Sequence, residues 1–437
     1  MWRRPRVVLW AVVVSVGQAF LVALEIASRH YGTPGPITAQ AREVIFPPKS
    51  GTVLYAAMTL MLVVLTWRQR FLAVGAAVAI DLVFWLVRWA AGAPTMFGNG
   101  ALIVTLACAV IALTRRTGRE RVLLLQGVGL ALLLVAGRKT GYTWLEITAR
   151  TRPMVLDQYI ATADHALGNP SWVAGQIVRA SGAVGAHVLE WVYIQLAVGA
   201  VVVALYQLRK VAVERRFPTH HLVRTFLVIG LLGPGIYMIY PVVGPVFAYG
   251  ADGGQWALAE LWPNTPPPLG TPRAMLFDGV TPRNCMPSLH TAWATAIFIH
   301  SRKGPRALRF LGAFWLVATL GATLGFGYHY GADILAGVVF TVTIEAALRA
   351  FDRRAVAGDR RGVLLACYGA AVFTALLLSY RFLSQELAAL PWLTGPLLVL
   401  AVASVVYGYL RTVRLWEREV RPAAVPRPRR ETQPELV

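Results

Sequence analysis

Acidic residues are scarce in this chain. There are 21 Asp and Glu against 42 Lys and Arg in 437 residues, and charged residues make up only 14% of the total. Soluble domains carry about 25% charge, so the composition is that of a membrane protein. Cysteine is scarce too: Cys108, Cys285 and Cys367 lie far apart, which excludes a disulfide framework and any paired metal-type spacing. A single basic patch is also missing. The net charge of +21 is spread between apolar runs of spanning length, which removes nucleic acid as a partner. No internal repeat is evident.

What fills the chain instead is hydrophobic residues, 57% of it. The apolar runs predict an all-α polytopic membrane protein of about twelve spans, near 7–28, 51–67, 71–91, 98–114, 122–137, 187–208, 222–246, 288–301, 307–327, 331–348, 362–380 and 391–410. Alternate connections are basic: Met1–Arg6, Arg68–Arg70, Arg115–Arg121, Arg209–Arg216, Arg302–Arg309, Arg349–Arg361 and the stretch from Arg411. The positive-inside rule then puts both termini in the cytoplasm and the intervening loops outside. The first run is too long for a signal-peptide core and reads as a retained anchor in the plasma membrane. Abundant Ala and Arg over Lys point to a bacterial gene.

Ionisable residues inside such runs need a reason. Asp81 and Arg88 share a helix face and read as an internal ion pair, or an Arg reaching outward, and Glu25 reads likewise. Residues 138–186 are expected outside. Leu156, Ile160, Ala163 and Leu167 have helical spacing there, and Asn169-Pro170-Ser171 starts a second short helix, along the interface or within a plain connecting loop. Gly233-Pro234-Gly235 is expected to kink its helix. The long loop that follows, with Pro266-Pro267-Pro268, leads into the first histidine block and is expected to form a lid or a wall of a site. The Pro- and Arg-rich end of the chain, 411–437, is expected to be a basic tail with attraction to anionic lipid.

Two blocks carry the chemistry, Arg283-Asn284-Cys285-Met286-Pro287-Ser288-Leu289-His290 and Tyr328-His329-Tyr330-Gly331-Ala332-Asp333. Pro287 and Ser288 suit the opening of a helix, whose free N–H groups make a phosphate seat with His290 beside it. His329 and Asp333 are four apart and share a helical face, so the carboxylate can fix the imidazole tautomer and leave the other nitrogen as nucleophile or base. Gly325, Gly327 and Gly331 leave backbone room for a bulky group. Two histidines, one oriented by Asp333, suit double displacement at phosphorus, and neither role needs a metal or cofactor. Zinc on His290, His329 and Asp333 is chemically acceptable but lacks a local His-x-x-x-His pair or cysteine ligands.

These residues, Pro287-Ser288-Leu289-His290 and His329 through Asp333, resemble the signature of the type 2 phosphatidic acid phosphatase superfamily. The resemblance covers a six-helix core near 122–350, leaving a four-helix extension at 1–121 and two helices at 351–410 outside it. It implies His329 as nucleophile, Asp333 as its orienting group, His290 as general acid and Ser288 on a phosphate oxygen. The family pattern has Arg where this chain has Thr323, and Lys where it has Leu145, although Arg152-Pro153 is kept. Fungal inositol phosphorylceramide synthase and sphingomyelin synthases look similar in lacking the second-block Arg, and Pro-Ser-Leu-His is more like that inositolphosphotransferase branch. Arg283, Arg152, Arg138 and Lys139 are the candidates to supply the missing positive charge. The implied function is transfer of a phospho group between a lipid substrate and an alcohol at the outer face. Hydrolysis of a lipid or polyprenyl phosphate is the alternative, and a transporter or flippase the alternative of another class.

Overall fold

Where no water can satisfy backbone groups, an apolar run is stable only as a helix, and this chain is helical almost throughout. The computed structural model describes residues 4–250, 262, 264, 269–270, 273–275, 277–279, 281–353 and 359–420. Among these, the only strand pairing is a two-residue antiparallel bridge between Met154–Val155 and Arg273–Ala274. The Pro266-Pro267-Pro268 stretch and the tail from 421 lie outside the described residues.

Among the described residues, eight helices are long and apolar enough to cross a membrane: Trp67–Ala90, Gly118–Thr151, Leu196–Glu214, Leu222–Ile239, Arg306–Gly325, Gly331–Asp352, Arg361–Phe382 and Pro391–Glu419. Gly51–Leu62 and Asn99–Thr114 are apolar but shorter. The chain is therefore an all-helical multi-pass protein; eight of the twelve expected spans meet that length and apolarity among the described residues. Large apolar side chains such as Phe71, Leu72, Phe310, Val317, Leu364 and Leu400 stand on its surface, as a lipid-facing wall requires.

Three boundaries differ from expectation. Helix Gly118–Thr151, 34 residues in all, does not stop near 137 but runs on to Thr151, so Arg138 and Lys139 stand on a helix rather than in an external loop. Apolar neighbours explain this: Gly51–Leu62 packs on one side of it and Leu222–Ile239 on another. The run expected at 187–208 breaks at Gln195 into Gly182–Ile194 and Leu196–Leu208. The last helix passes 410 and ends at Val420. The two short helices foreseen after 155 are present, as Asp157–Asp164 and Pro170–Ala180.

The N-terminal helices build their own apolar core from Leu54, Met58, Met61, Leu102 and Val128. A second core joins Val192, Leu196, Ile229, Leu289, Ile297 and Trp315. The last two helices are not peripheral: Leu376, Tyr380, Val402 and Val405 share a core with Ile160, Tyr330, Ala332 and Ala336, directly behind the second histidine block.

Asp81 and Arg88 do not form the expected pair. Asp81 accepts from Tyr55 Oη (2.7 Å) and from the N–H groups of Gly98 (2.8 Å) and Gly100 (2.7 Å), so it pins the start of Asn99–Thr114. Arg88 donates to the carbonyls of Met96 and Ile45 and to Asn99 Oδ1. Glu25 likewise accepts from the N–H groups of Ile37 and Thr38 at the start of Pro36–Arg42. Asp81→Ala strands three buried donors, each expected to cost about 1–3 kcal/mol. A clear fall in melting temperature of the detergent-solubilised protein is expected, with partial recovery in Asp81→Asn.

Candidate active site

The first block starts a helix as its residues dictate. Ser288 caps Leu289–Ser301, its Oγ accepting the Thr291 N–H at 3.2 Å. Its own N–H donates to the Asp333 carbonyl at 3.2 Å, which ties the first block to the second. Tyr237 Oη holds the turn by donating to the Pro287 carbonyl at 3.1 Å. Gly337 lets the two helices approach: a Cβ there would meet the Ser288 carbonyl at 2.6 Å. His290 thus stands in the first turn, half-buried.

The second block closes against it. The His329 N–H donates to the Thr323 carbonyl at 3.1 Å, and Asp333 begins the Gly331–Arg353 helix. His329 Nδ1 lies 3.5 Å from Asp333 Oδ2, without the alignment of a hydrogen bond. Asp333 Oδ2 already accepts from Cys285 Sγ at 2.6 Å and the Tyr330 N–H at 2.8 Å. Its Oδ1 is buried with no partner, so a small rotation gives His329 an acceptor. The two imidazole rings face each other with centroids 6.5 Å apart and planes at 58°. His290 stacks on Tyr193 at 4.0 Å and meets Trp293 edge-on at 6.1 Å; Tyr193 in turn lies 5.1 Å from Tyr328. This aromatic wall was not foreseen, because nothing marks Tyr193 as special within an apolar run.

The structure therefore brings together His290, His329, Asp333 and Ser288. The candidate cations scatter. Arg283 is fully buried, donating to the carbonyls of Thr281 (2.8 Å) and Met275 (2.6 Å), while its Nε has no partner. Burial lowers its pKa, and the charges of Asp278 and Asp157 act the other way. Arg152 is exposed at the end of the long helix. Lys139 is ion-paired to Glu43, in a different cavity. The two positions where the family pattern has cations are committed elsewhere. Thr323 bonds the carbonyls of its own helix, and Leu145 packs in the apolar core beside Leu289.

The three glycines expected to leave room for a bulky group do not. A Cβ at Gly325 would meet Val178, at Gly327 the Trp262 ring, and at Gly331 Pro170. That space is filled by the chain itself. Trp262 belongs to the long loop. Asn264 and Gly270, also in that loop, accept from Asn169, Gln158 and Tyr159, so its described parts lie strapped over the short helices.

Two buried aspartates missed by sequence hold the site together. Asp157 accepts from the N–H groups of Val243 and Gly244 and from Tyr330 Oη; Asp164 accepts from the Ala332 N–H. The short helix bearing both thereby clamps the loop after Leu222–Ile239 to the second histidine block. Their only sequence signal was a polar residue on the buried side of an amphipathic segment.

Among the described residues, two groups of donor atoms have a spacing that a metal could bridge, Cys285–His329–Asp333 and His220–His300–Glu345, each within 4.8 Å among themselves. In the second, at the far end of the His290 helix, both imidazoles already meet Glu345, at 2.7 and 2.9 Å.

Residues 158–347 match the family model of the PAP2 superfamily, and residues 8–147 match a domain of unknown function, DUF5933. No curated protein and no solved structure matches the chain. The PAP2 match contains both histidine blocks and supports a lipid enzyme of the phosphatase or phosphotransferase type.

Burial pushes both Asp157 and Asp164 up from 3.8 to about 7, against the hydrogen bonds they accept and with the charge of Asp333. Between those values the folded chain holds protons the unfolded chain has released. The stability linked to these groups is therefore present at low pH and lost as the pH rises to about 7. The melting temperature is expected to fall as the pH is raised from about 5 to about 8. Asp157→Asn is expected to melt lower at every pH but with a flatter slope.

Proposed function

We propose that the chain is a lipid phosphotransferase that works through a phosphohistidine at His329. The observation that carries this reading is the pair of imidazoles 6.5 Å apart with Asp333 behind one of them, a gap that a phosphate can occupy. Asp333 faces Nδ1 of His329 and favours the tautomer that leaves Nε2 as nucleophile. Nε2 attacks phosphorus, and the bond to the lipid alkoxide breaks as His290 gives that oxygen its proton. His290, now neutral, takes a proton from an incoming alcohol, whose oxygen displaces His329 from phosphorus. Each step uses only these side chains. Ser288, whose hydroxyl proton is free while its oxygen caps the helix, donates to a phosphate oxygen. Arg283 is the cation best placed by sequence to offset the developing charge.

Depth supports a lipid substrate. Leu289–Ser301 has 13 residues, about 20 Å of helix against a hydrocarbon core of about 30 Å. A histidine in its first turn is then sunk below the bilayer surface, where the reactive head of a lipid-tethered phosphate can reach it. The charge pattern of the connections supports a reading with that end outside and both termini in the cytoplasm.

The test is turnover by the purified protein on a panel of lipid phosphates and phosphodiesters, with and without chelator. Free phosphate and new phospholipid are both measured. New phospholipid that persists in chelator is expected. Free phosphate alone would instead assign hydrolysis. His329→Ala is expected to abolish turnover and acid-labile labelling by donor phosphate, and His290→Ala to slow it by about 10²–10⁴-fold. Full activity in His329→Ala would overturn the reading, and neither product from the whole panel would favour a transporter.

A further inference from the structure

A cavity stands apart from the histidine pair. It has a volume of about 840 Å³ and opens between residues 33–49 and the outer part of the long helix Gly118–Thr151. That helix turns Lys139, Tyr142, Thr143 and Glu146 toward it, the i, i+3, i+4, i+7 stripe of one face. Leu145 points away, into the core that holds Leu289 and Trp293. The cavity and the histidine site thus lie on different sides of one helix.

Its lining is charged unequally. Arg42, Lys49, Arg138 and Lys139 face Glu43 and Glu146. Both carboxylates are already engaged: Glu43 pairs with Lys139, and Glu146 accepts from Arg150 at 3.2 Å. Lys49 Nζ rests 4.9 Å from the Tyr142 ring centroid. Among the described residues, the guanidinium groups of Arg42 and Arg138 make no hydrogen bond or ion pair. Arg42, Lys49 and Arg138, all exposed, therefore line one open cavity without an ion pair of their own among the described residues.

The wall bearing them is built, not incidental. Asn99 Nδ2 donates to the carbonyls of Glu43 and Phe46, Arg88 donates to that of Ile45, and Glu43 accepts the Lys49 N–H. Buried residues of the N-terminal unit are spent on fixing this one segment. Phe46, Pro34 and Pro47 give the cavity apolar sides next to the cations, the mixture that a headgroup with an apolar neck requires.

We propose that this cavity is a second anion site, which binds a phosphate ester through Arg42, Arg138 and Lys49, separately from the reaction at His290 and His329. It lies wholly in the part of the chain, residues 8–147, that matches the domain of unknown function, and it holds whether or not the phosphotransfer reading does.

The test uses the full chain in detergent carrying His329→Ala, so that no probe is turned over. Dioctanoyl phosphatidic acid, inorganic phosphate and dioctanoyl phosphatidylcholine are titrated by native mass spectrometry and thermal shift. Saturable phosphatidic acid binding is expected, about tenfold or more weaker when Arg42→Gln and Arg138→Gln are added. Lys49→Gln, at a residue with no buried ion pair, is expected to weaken it as well and guards against misfolding of the double variant. Competition by inorganic phosphate with the same dependence on Arg42 and Arg138 would assign the same chemistry to a soluble source. Equal binding in all variants, equal competition by phosphatidylcholine, or no binding of either phosphate probe would overturn the proposal.

Discussion

Backbone N–H groups at the ends of membrane helices have no water to bond, and this protein satisfies many of them with buried carboxylates. Glu25, Glu43, Asp81, Asp157, Asp164 and Asp333 are all buried, and each accepts from at least one backbone N–H of a loop or helix start. Six of only 21 acidic residues are used this way. An unpaired buried N–H costs as much as a lost hydrogen bond, so each carboxylate decides where its loop can lie. The histidine pair depends on three of them. Asp157 holds the loop after Leu222–Ile239, Asp164 the start of the second block, and Asp333 the turn at Tyr330. Asp333 is thus both part of this scaffold and the group that faces the reacting imidazole.

Sequence reasoning placed its residues best where geometry is local. Ser288 caps the helix it was expected to cap, and His329, although it stands just before the Gly331–Arg353 helix, comes within 3.5 Å of Asp333, because both expectations rest on spacings of three and four residues. It failed where the answer depends on what packs alongside. The glycines near His329 were read as open space, yet Val178, Trp262 and Pro170 fill it from remote parts of the chain. Lys139 was read in an outer loop because Gly137 and Arg138 interrupt the apolar run. Helices on either side keep that segment helical and turn Lys139 to Glu43. Asp157 and Asp164 could not be singled out, since their partners are backbone groups about 86 to 168 residues away.

The long helix Gly118–Thr151 joins the two matched regions: one face packs on Gly51–Leu62, the other on Leu222–Ile239. Arg150, near its end, lies over Tyr31 on one side and Phe277 on the other.

The His290 helix is anchored at both ends, by Ser288 against Asp333 and by His300 against Glu345. Between those anchors every side chain of the helix is buried or half-buried, so protein rather than lipid surrounds it. The position of His290 is thus set by the helices packed around it, and a change of acyl-chain length in the surrounding lipid meets those outer helices first.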